Sequence, residues 1–158
     1  MEFFTIGVYN STEQEYFDKL TRHNIDTFCD IRQRRGVRGA KYAFVNSKRL
    51  QNKLNELDIN YIYVPELAPT TEIRELQKDA DKKQGELKKD RNTLGKIFKV
   101  AYKDRIISQF DFQAFIKILE EKEAQRVVFF CVEEKPEACH RSVVTDKLSK
   151  LGYSITHL

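Results

Sequence analysis

Residues 127–142 read VVFFCVEEKPEACHRS. They begin with the longest apolar run of the chain, residues 127–132, which is followed by three charged residues and then by a proline and a stretch that suits a helix. The six residues 127–132 show no polar alternation, which is typical of a central strand that helices cover on both faces. Pro136 suits the first position of a helix, because the amide hydrogen that proline lacks is not needed there. The stretch therefore predicts a buried strand that leads through a short polar loop into a helix.

The same alternation of strand and helix patterns extends on both sides of this stretch. Apolar runs at residues 3–9, 27–32 and 60–64 predict further strands, and residues 153–158 predict a last strand after a helix that Gly152 ends. Helical spacing of apolar side chains predicts a first helix up to about residue 23 and later helices over residues 47–57, 94–102 and 112–119. Parallel neighbours need long right-handed crossovers, so the alternation predicts a three-layer α/β fold, with a mostly parallel central sheet flanked by helices on both faces.

The length of the chain, 158 residues, fits one domain, and residues 1–158 show neither a repeat nor an internal linker. Residues 70–92 depart from the pattern, because many Lys, Asp, Glu and Gln side chains surround few apolar ones. This charged excursion predicts an exposed helix or a mobile segment rather than part of the core.

The composition favours a folded cytoplasmic protein. Hydrophobic residues make up 41% of the chain, which is too many for a disordered protein, and the net charge of +4 is too small to establish a nucleic-acid partner. The longest apolar run has six residues, whereas a membrane-spanning helix needs about 18, so no membrane segment is expected. The first residues do not resemble a secretory signal, and three cysteines fit a reducing compartment better than a disulfide framework.

Polar side chains follow each predicted strand. Asp30 and Arg32 end the second strand on one face, Glu66 follows the third, and Cys131 and Glu133 end the strand at residues 127–132. Ligands of open parallel sheets bind beyond the carboxyl ends of the strands, so we expect these side chains to form one crevice.

The helix after Pro136 begins with three reactive or charged side chains. His140 lies on the same stripe as Val144 and Leu148, so its ring is predicted to point inward, toward the strand ends. Cys139 and Arg141 flank that stripe, where the helix dipole and the guanidinium favour an anion or a lowered thiol pKa. The alternative is a cysteine that only packs and a histidine that hydrogen-bonds a neighbouring loop.

Two specific site classes are disfavoured by spacing. A zinc site formed by Cys131, Cys139 and His140 is disfavoured because adjacent residues diverge by about 100° on a helix and no paired-cysteine motif is present. We therefore predict no metal and no cofactor. The phosphatase loop, in which five residues separate Cys from Arg, is absent, because Glu137 and Thr145 occupy the positions where arginine would be needed.

The strand end at residues 131–133 and the residues Pro136, Glu137, Ala138, Cys139, His140, Arg141 and Ser142 closely resemble the family called domain of unknown function 488 (DUF488). The residues at 5–7, 30–32, 61–67 and 156–158 are also similar to that family, so the resemblance covers nearly the whole chain. It implies an α/β fold and a site made of these same positions, and it assigns no reaction. Where many members have a proline-containing stretch after Arg32, this chain has residues 33–39, QRRGVRG, and its substrate preference is expected to differ.

The loop at residues 32–41 is strongly basic and carries two glycines. Its cationic side chains, which Tyr42 and Phe44 follow, are Arg32, Arg34, Arg35, Arg38 and Lys41. Guanidinium groups bind phosphate through two parallel hydrogen bonds, and aromatic rings stack on bases, so the loop suits a nucleotide or a nucleic acid. A loop that is merely solvated is the alternative.

Two functions from different classes fit these residues. The first is a small enzyme that acts on a phosphate-bearing or nucleotide-like substrate, with Asp30 or Glu133 as acid or base and Cys131 or Cys139 as nucleophile if there is one. In that enzyme Arg32 and Arg141 hold the anion. The second is a non-catalytic module that binds nucleic acid or a nucleotide through the basic loop.

Overall fold

The computed structural model describes residues 1–85, 87 and 91–158. Its strands form one sheet in the order β3-β2-β4-β1-β5, and every pair of neighbours is parallel. The strands are β1 (Glu2–Ile6), β2 (Thr27–Asp30), β3 (Asn60–Tyr63), β4 (Arg126–Phe130) and β5 (Ile155–His157). The predicted parallel α/β fold is therefore confirmed, and the stretch quoted first provides the central strand.

Helices connect the strands and cover the sheet. They are α1 (Glu13–Arg22), α2 (Ser47–Glu56), α3 (Thr71–Gln84), α4 (Lys96–Tyr102), α5 (Phe112–Glu121) and α6 (His140–Lys150). A π-helical turn at Lys103–Ile107 extends α4, and short 3-10 turns lie at Ala43–Val45, Pro65–Leu67 and Pro136–Ala138. No helix within the described residues has both the length and the apolar character that crossing a membrane requires.

Side chains alternate across the sheet, and each face has its own core. On one face, Phe4, Phe28 and Phe130 pack with residues of α1 and α2. On the other, Phe3 and Phe129 pack with residues of α3, α4, α5 and α6. Helices on both faces explain why the residues of β4 are apolar without alternation: Val127, Val128, Phe129 and Phe130 are all fully buried.

Local sequence explains where several helices begin. The Thr12 hydroxyl accepts a hydrogen bond from the Glu15 amide while the Glu15 carboxylate accepts one from the Thr12 amide, and this capping box starts α1. Asp111 caps α5 in the same general way, through the Ala114 amide. These caps satisfy backbone donors that have no partner inside the helix.

Several predicted boundaries are wrong, and two of the errors affect the site. The helix after β4 does not begin at Pro136, because residues Pro136–Ala138 form a 3-10 turn and α6 starts only at His140. Cys139 precedes α6 with an extended backbone, at φ −134° and ψ 148°. The first two strands also end earlier than predicted, at Ile6 and Asp30, so Arg32 lies in the loop beyond β2.

The charged segment at residues 70–92 contributes a helix to the fold. Most residues of α3 are at least partly exposed, as its composition predicts, but Ile73, Gln77 and Asp81 are buried. Arg91, beyond α3, is also buried. Part of this segment therefore packs against the rest of the protein, near the carboxyl ends of the strands.

Candidate functional site

The carboxyl ends of β2 and β4 open onto a cavity of about 580 Å³. Arg32 lies beyond β2, Cys131 and Glu133 lie beyond β4, and all three line the cavity together with His140 from the first turn of α6. Residues 30–32 and 139–141 meet at this cavity, since His140 Nε2 lies 3.0 Å from the Ile31 carbonyl oxygen, and of these six residues Arg32 and His140 line it. The crevice thus lies where open parallel sheets bind their ligands.

Asp30 and Arg32 form a buried ion pair at the end of β2. The Arg32 Nε and Nη2 atoms donate to the two carboxylate oxygens of Asp30 at 2.9 and 2.7 Å, and the Tyr61 hydroxyl donates to the same carboxylate at 2.9 Å. Burial raises the pKa of Tyr61 to about 12, so this phenol keeps its proton. The guanidinium also lies over the Phe130 ring, at 4.5 Å from its centroid. Asp30, fully buried, holds Arg32 in a fixed orientation at the cavity wall.

A second buried guanidinium, that of Arg91, joins three parts of the chain. Its Nη1 atom donates to Asp81 of α3 at 2.9 Å, and its Nη2 atom donates to Glu133 at 3.1 Å. The Ala138 carbonyl oxygen accepts hydrogen bonds from Nε and Nη2. Arg91 therefore fixes α3 and the turn before α6 against the end of β4.

The thiols of Cys131 and Cys139 and the imidazole of His140 form a cluster next to Glu133. Cys131 Sγ donates to Glu133 Oε2 at 3.2 Å, and Cys139 Sγ lies 3.7 Å from His140 Nδ1. A hydrogen bond with Cys139 and burial raise the pKa of the Cys131 thiol well above its usual value. Cys29, the third cysteine, is a buried residue of β2 and is not part of this cluster.

Arg141, which the sequence predicted to bind substrate, points into the protein. It is 1% exposed, and its guanidinium donates to the backbone carbonyl oxygens of Glu133 and Glu134. Asp30, Cys139 and Arg141 are absent from the cavity lining and contact residues that belong to it. From the protein interior, Arg141 thus fixes the backbone that follows β4.

The basic loop contributes some of its cations to the cavity. Arg34 and Arg38 are exposed and line it, as does Tyr42, whose hydroxyl accepts a hydrogen bond from the Asn10 amide. Arg35 instead lies over the Tyr63 ring, at 4.2 Å from its centroid, and does not line the cavity. Glu66, predicted at this site, is exposed and also lies outside the lining.

Several residues of the site have no counterpart in the sequence prediction. They are Tyr61, Arg74, Gln77, Asp81 and Arg91. Four of them belong to the charged segment, where apolar periodicity gives no signal. The only local sign is the spacing of Ile73, Gln77 and Asp81, which repeats every four residues and places all three on one face of α3.

Gly7, the first residue after β1, allows the backbone there to pass close to the Glu133 backbone at the site. A Cβ atom at this position would lie 1.9 Å from the Glu133 carbonyl oxygen, and a backbone atom cannot rotate out of the way.

We expect Gly7→Ala to lower the free energy of unfolding by about 1–3 kcal/mol, as overpacking does. Urea denaturation measures the change. Gly36→Ala is the matched control, because its new Cβ would meet no atom closer than 3.8 Å. Equal midpoints for the two variants would contradict the close approach.

Comparison with known proteins gives one match. The family model described as "Domain of unknown function DUF488" matches residues 12–148, which include Arg32, Glu133 and His140. No curated protein and no solved structure matches the chain.

Proposed function

We propose that this chain, which belongs to the DUF488 family, is a small enzyme that acts on a phosphate-bearing substrate in the strand-end cavity. One observation carries the proposal: Arg34, Arg38 and Arg74 line the cavity, and none of them has an ion pair within the described residues. The same cavity is lined by Glu133, Cys131 and His140, which can transfer protons or react.

The charges of the cavity favour an anion. Among the described residues that line it, the carboxylates are Glu75, Asp81 and Glu133, and the cations are Arg32, Arg34, Arg38, Arg74, Lys78 and Arg91. Arg91 pairs with Asp81 and Glu133, and Lys78 pairs with Glu75, but the cations of the lining still outnumber its carboxylates by six to three. The remaining positive charge therefore lies on guanidinium groups, whose planar donors match the oxygens of a phosphate group.

Size and aromatic lining support a nucleotide-like substrate. The volume of about 580 Å³ is in the range of pockets for small organic ligands. Tyr9 and Tyr42 line the cavity with their ring centroids 5.3 Å apart, on the same side as the basic loop. A base that stacks on Tyr42 would leave its phosphate groups within reach of Arg34 and Arg38.

Glu133 is the residue we assign to proton transfer. It lines the cavity, and its two oxygens accept from Arg91 and from Cys131, so its position is fixed. Asp30 is assigned a positioning role instead, because it is fully buried and both of its oxygens accept from Arg32. Arg32 would then present a fixed positive charge to the substrate.

The binding half of the proposal is tested by titrating ADP and pyrophosphate in a calorimeter. Each charge-assisted hydrogen bond is worth about 1.5–3 kcal/mol, so we expect Arg34→Ala combined with Arg38→Ala to weaken binding about 100-fold. Arg35→Ala is the matched control, because its guanidinium stacks on Tyr63 outside the cavity, and it should bind like the wild type. Affinity should fall as salt rises. Equal affinity of the double variant and the control would refute the phosphate site.

The catalytic half is tested with a panel of nucleotides and phosphate esters, followed by phosphorus NMR. For a compound that is turned over, Glu133→Gln should lower kcat by about 100- to 10,000-fold and change KM little. Glu133→Asp should recover part of the activity, and melting curves check that both variants fold. Binding through Arg34 and Arg38 without turnover of any compound would refute the enzyme and favour the non-catalytic module. Binding that tightens with oligonucleotide length would identify that module's ligand as nucleic acid.

A further inference from the structure

We propose that Cys131, Cys139 and His140 together bind a zinc ion at the inner end of the cavity. This site goes beyond the proposed function and does not depend on phosphate binding, because none of its ligands belongs to the basic loop. With the ion bound, Cys131 and His140 would serve as ligands, and Glu133 would remain the residue for proton transfer. The ligand atoms of the three residues, two sulfurs and one ring nitrogen, all lie within 4.8 Å of one another, and all three residues are buried.

The distances suit tetrahedral coordination. Zinc lies about 2.3 Å from sulfur and about 2.0 Å from a histidine nitrogen, which puts ligand atoms of a tetrahedral site about 3.5–3.8 Å apart. Cys139 Sγ and His140 Nδ1 already have such a separation, 3.7 Å. The widest pair needs to contract by only about 1 Å, which small rotations of the cysteine side chains can supply.

The backbone explains how two adjacent residues aim at one point. On a helix the side chains of Cys139 and His140 would diverge, which is the reason the sequence disfavours this site. Cys139, however, is not helical: it follows the turn Pro136–Ala138 with an extended backbone, and His140 is the first residue of α6. The change of backbone conformation between the two residues turns the Cys139 thiol toward the imidazole, so the two side chains do not diverge as they would on a helix.

The imidazole of His140 is already oriented as metal-binding histidines are. Its Nε2 atom lies 3.0 Å from the Ile31 carbonyl oxygen, and a carbonyl can only accept, so Nε2 carries the proton. Nδ1 then presents its lone pair to the cysteines. Metal-bound histidines typically donate their other ring N–H to a carbonyl or carboxylate in this way.

The types of ligand atom indicate which ion binds, and their number indicates how many coordination positions stay open. Zinc binding would release the thiol protons of Cys131 and Cys139, including the one that Cys131 donates to Glu133. The resulting two thiolates and an imidazole select zinc over magnesium or calcium, which prefer oxygen. Three protein ligands leave a fourth tetrahedral position, the arrangement of catalytic rather than structural zinc sites. Cys131 and His140 line the cavity, so this position is on the cavity side, near the Glu133 carboxylate.

The test begins with zinc analysis of the purified chain and continues with cobalt titration of the metal-free protein under reducing conditions. We expect one ion per chain and, with cobalt, both thiolate charge-transfer absorption and the visible bands of a tetrahedral ion. Mutation of residues that only orient ligands commonly weakens metal affinity about 10- to 100-fold. We therefore expect Cys131→Ser, Cys139→Ser and His140→Gln each to weaken it by at least about 100-fold.

Cys29→Ala is the matched control, because it removes the remaining cysteine, a buried thiol that is outside the cluster. It should keep the spectrum and the affinity of the wild type. Absence of charge-transfer absorption in the wild type, or the same affinity in the Cys131, Cys139 and His140 variants as in the control, would overturn the proposal. The wild-type spectrum decides the matter even where a variant does not fold.

Discussion

Replacing Arg32 with Met is expected to lower the free energy of unfolding by about 3–5 kcal/mol, because it leaves the carboxylate of Asp30 buried without its positive partner. Asp30 is fully buried, Arg32 is 3% exposed, and two hydrogen bonds join them. Tyr61 would remain as a donor to Asp30, but a neutral hydroxyl cannot balance the charge. The Met side chain can keep apolar contact with the Phe130 ring, so the decrease in the free energy of unfolding measures mainly the loss of the positive charge.

Denaturant unfolding of wild type, Arg32→Met and Asp30→Asn with Arg32→Met measures this effect. The double variant should recover part of the lost stability, because it no longer buries an unpaired charge. Arg22→Met is the control, since the Arg22 side chain is 78% exposed and its ion pair with Asp18 contributes little. A loss for Arg32→Met no larger than for Arg22→Met would contradict a buried ion pair.

Arg91→Met is expected to lower the free energy of unfolding by a similar amount, about 3–5 kcal/mol, because two carboxylates lose the guanidinium that they share. Asp81 and Glu133 both depend on this guanidinium, and they come from α3 and from the end of β4. The variant would leave two buried carboxylates without their shared positive partner and would remove both Arg91 donors to the Ala138 carbonyl. We therefore expect α3 to separate from the strand ends before the sheet unfolds.

Amide hydrogen exchange distinguishes that local opening from a uniform loss of stability. In Arg91→Met, the amides of α3 should exchange faster than those of β4, whereas Lys83→Met, an exposed position in the last turn of α3, should leave both unchanged. Adding Asp81→Asn to Arg91→Met should restore part of the protection. Equal acceleration in α3 and β4 would contradict the role of Arg91 as the tie between them.

The sequence predicts the fold well, because the fold depends on signals that are local. The apolar run of β4, the Thr12–Glu15 capping box and the alternation of strands with helices each have a short-range cause. The rule that ligands bind beyond the carboxyl ends of parallel strands then places Arg32, Cys131, Glu133 and His140 around one cavity, as the structure confirms.

The parts of the site that the sequence does not predict depend on ion pairs between residues distant in the sequence or on the exact backbone conformation of a turn. Arg91 and Asp81 lie in a segment whose composition indicates solvent exposure, and only the folded chain gives Arg91 its distant partner Glu133. The geometry of Cys139 depends on a 3-10 turn that propensity does not separate from the helix that follows. Nothing in the order of the arginines indicates that Arg35 stacks on Tyr63 while Arg34 and Arg38 line the cavity.

The order of the strands also constrains how the chain can fold. β1 and β2 are consecutive in sequence, but β4 lies between them, and its register pairs Arg126 with Glu2 and Val127 with Thr27. During synthesis from the amino terminus, β1 and β2 therefore stay without their shared neighbour until β4, Arg126–Phe130, has been synthesised. Closing such distant contacts is entropically costly and slows folding. Because residues after β4, including His140 of α6, line the cavity, the site can form only after α6 has been synthesised.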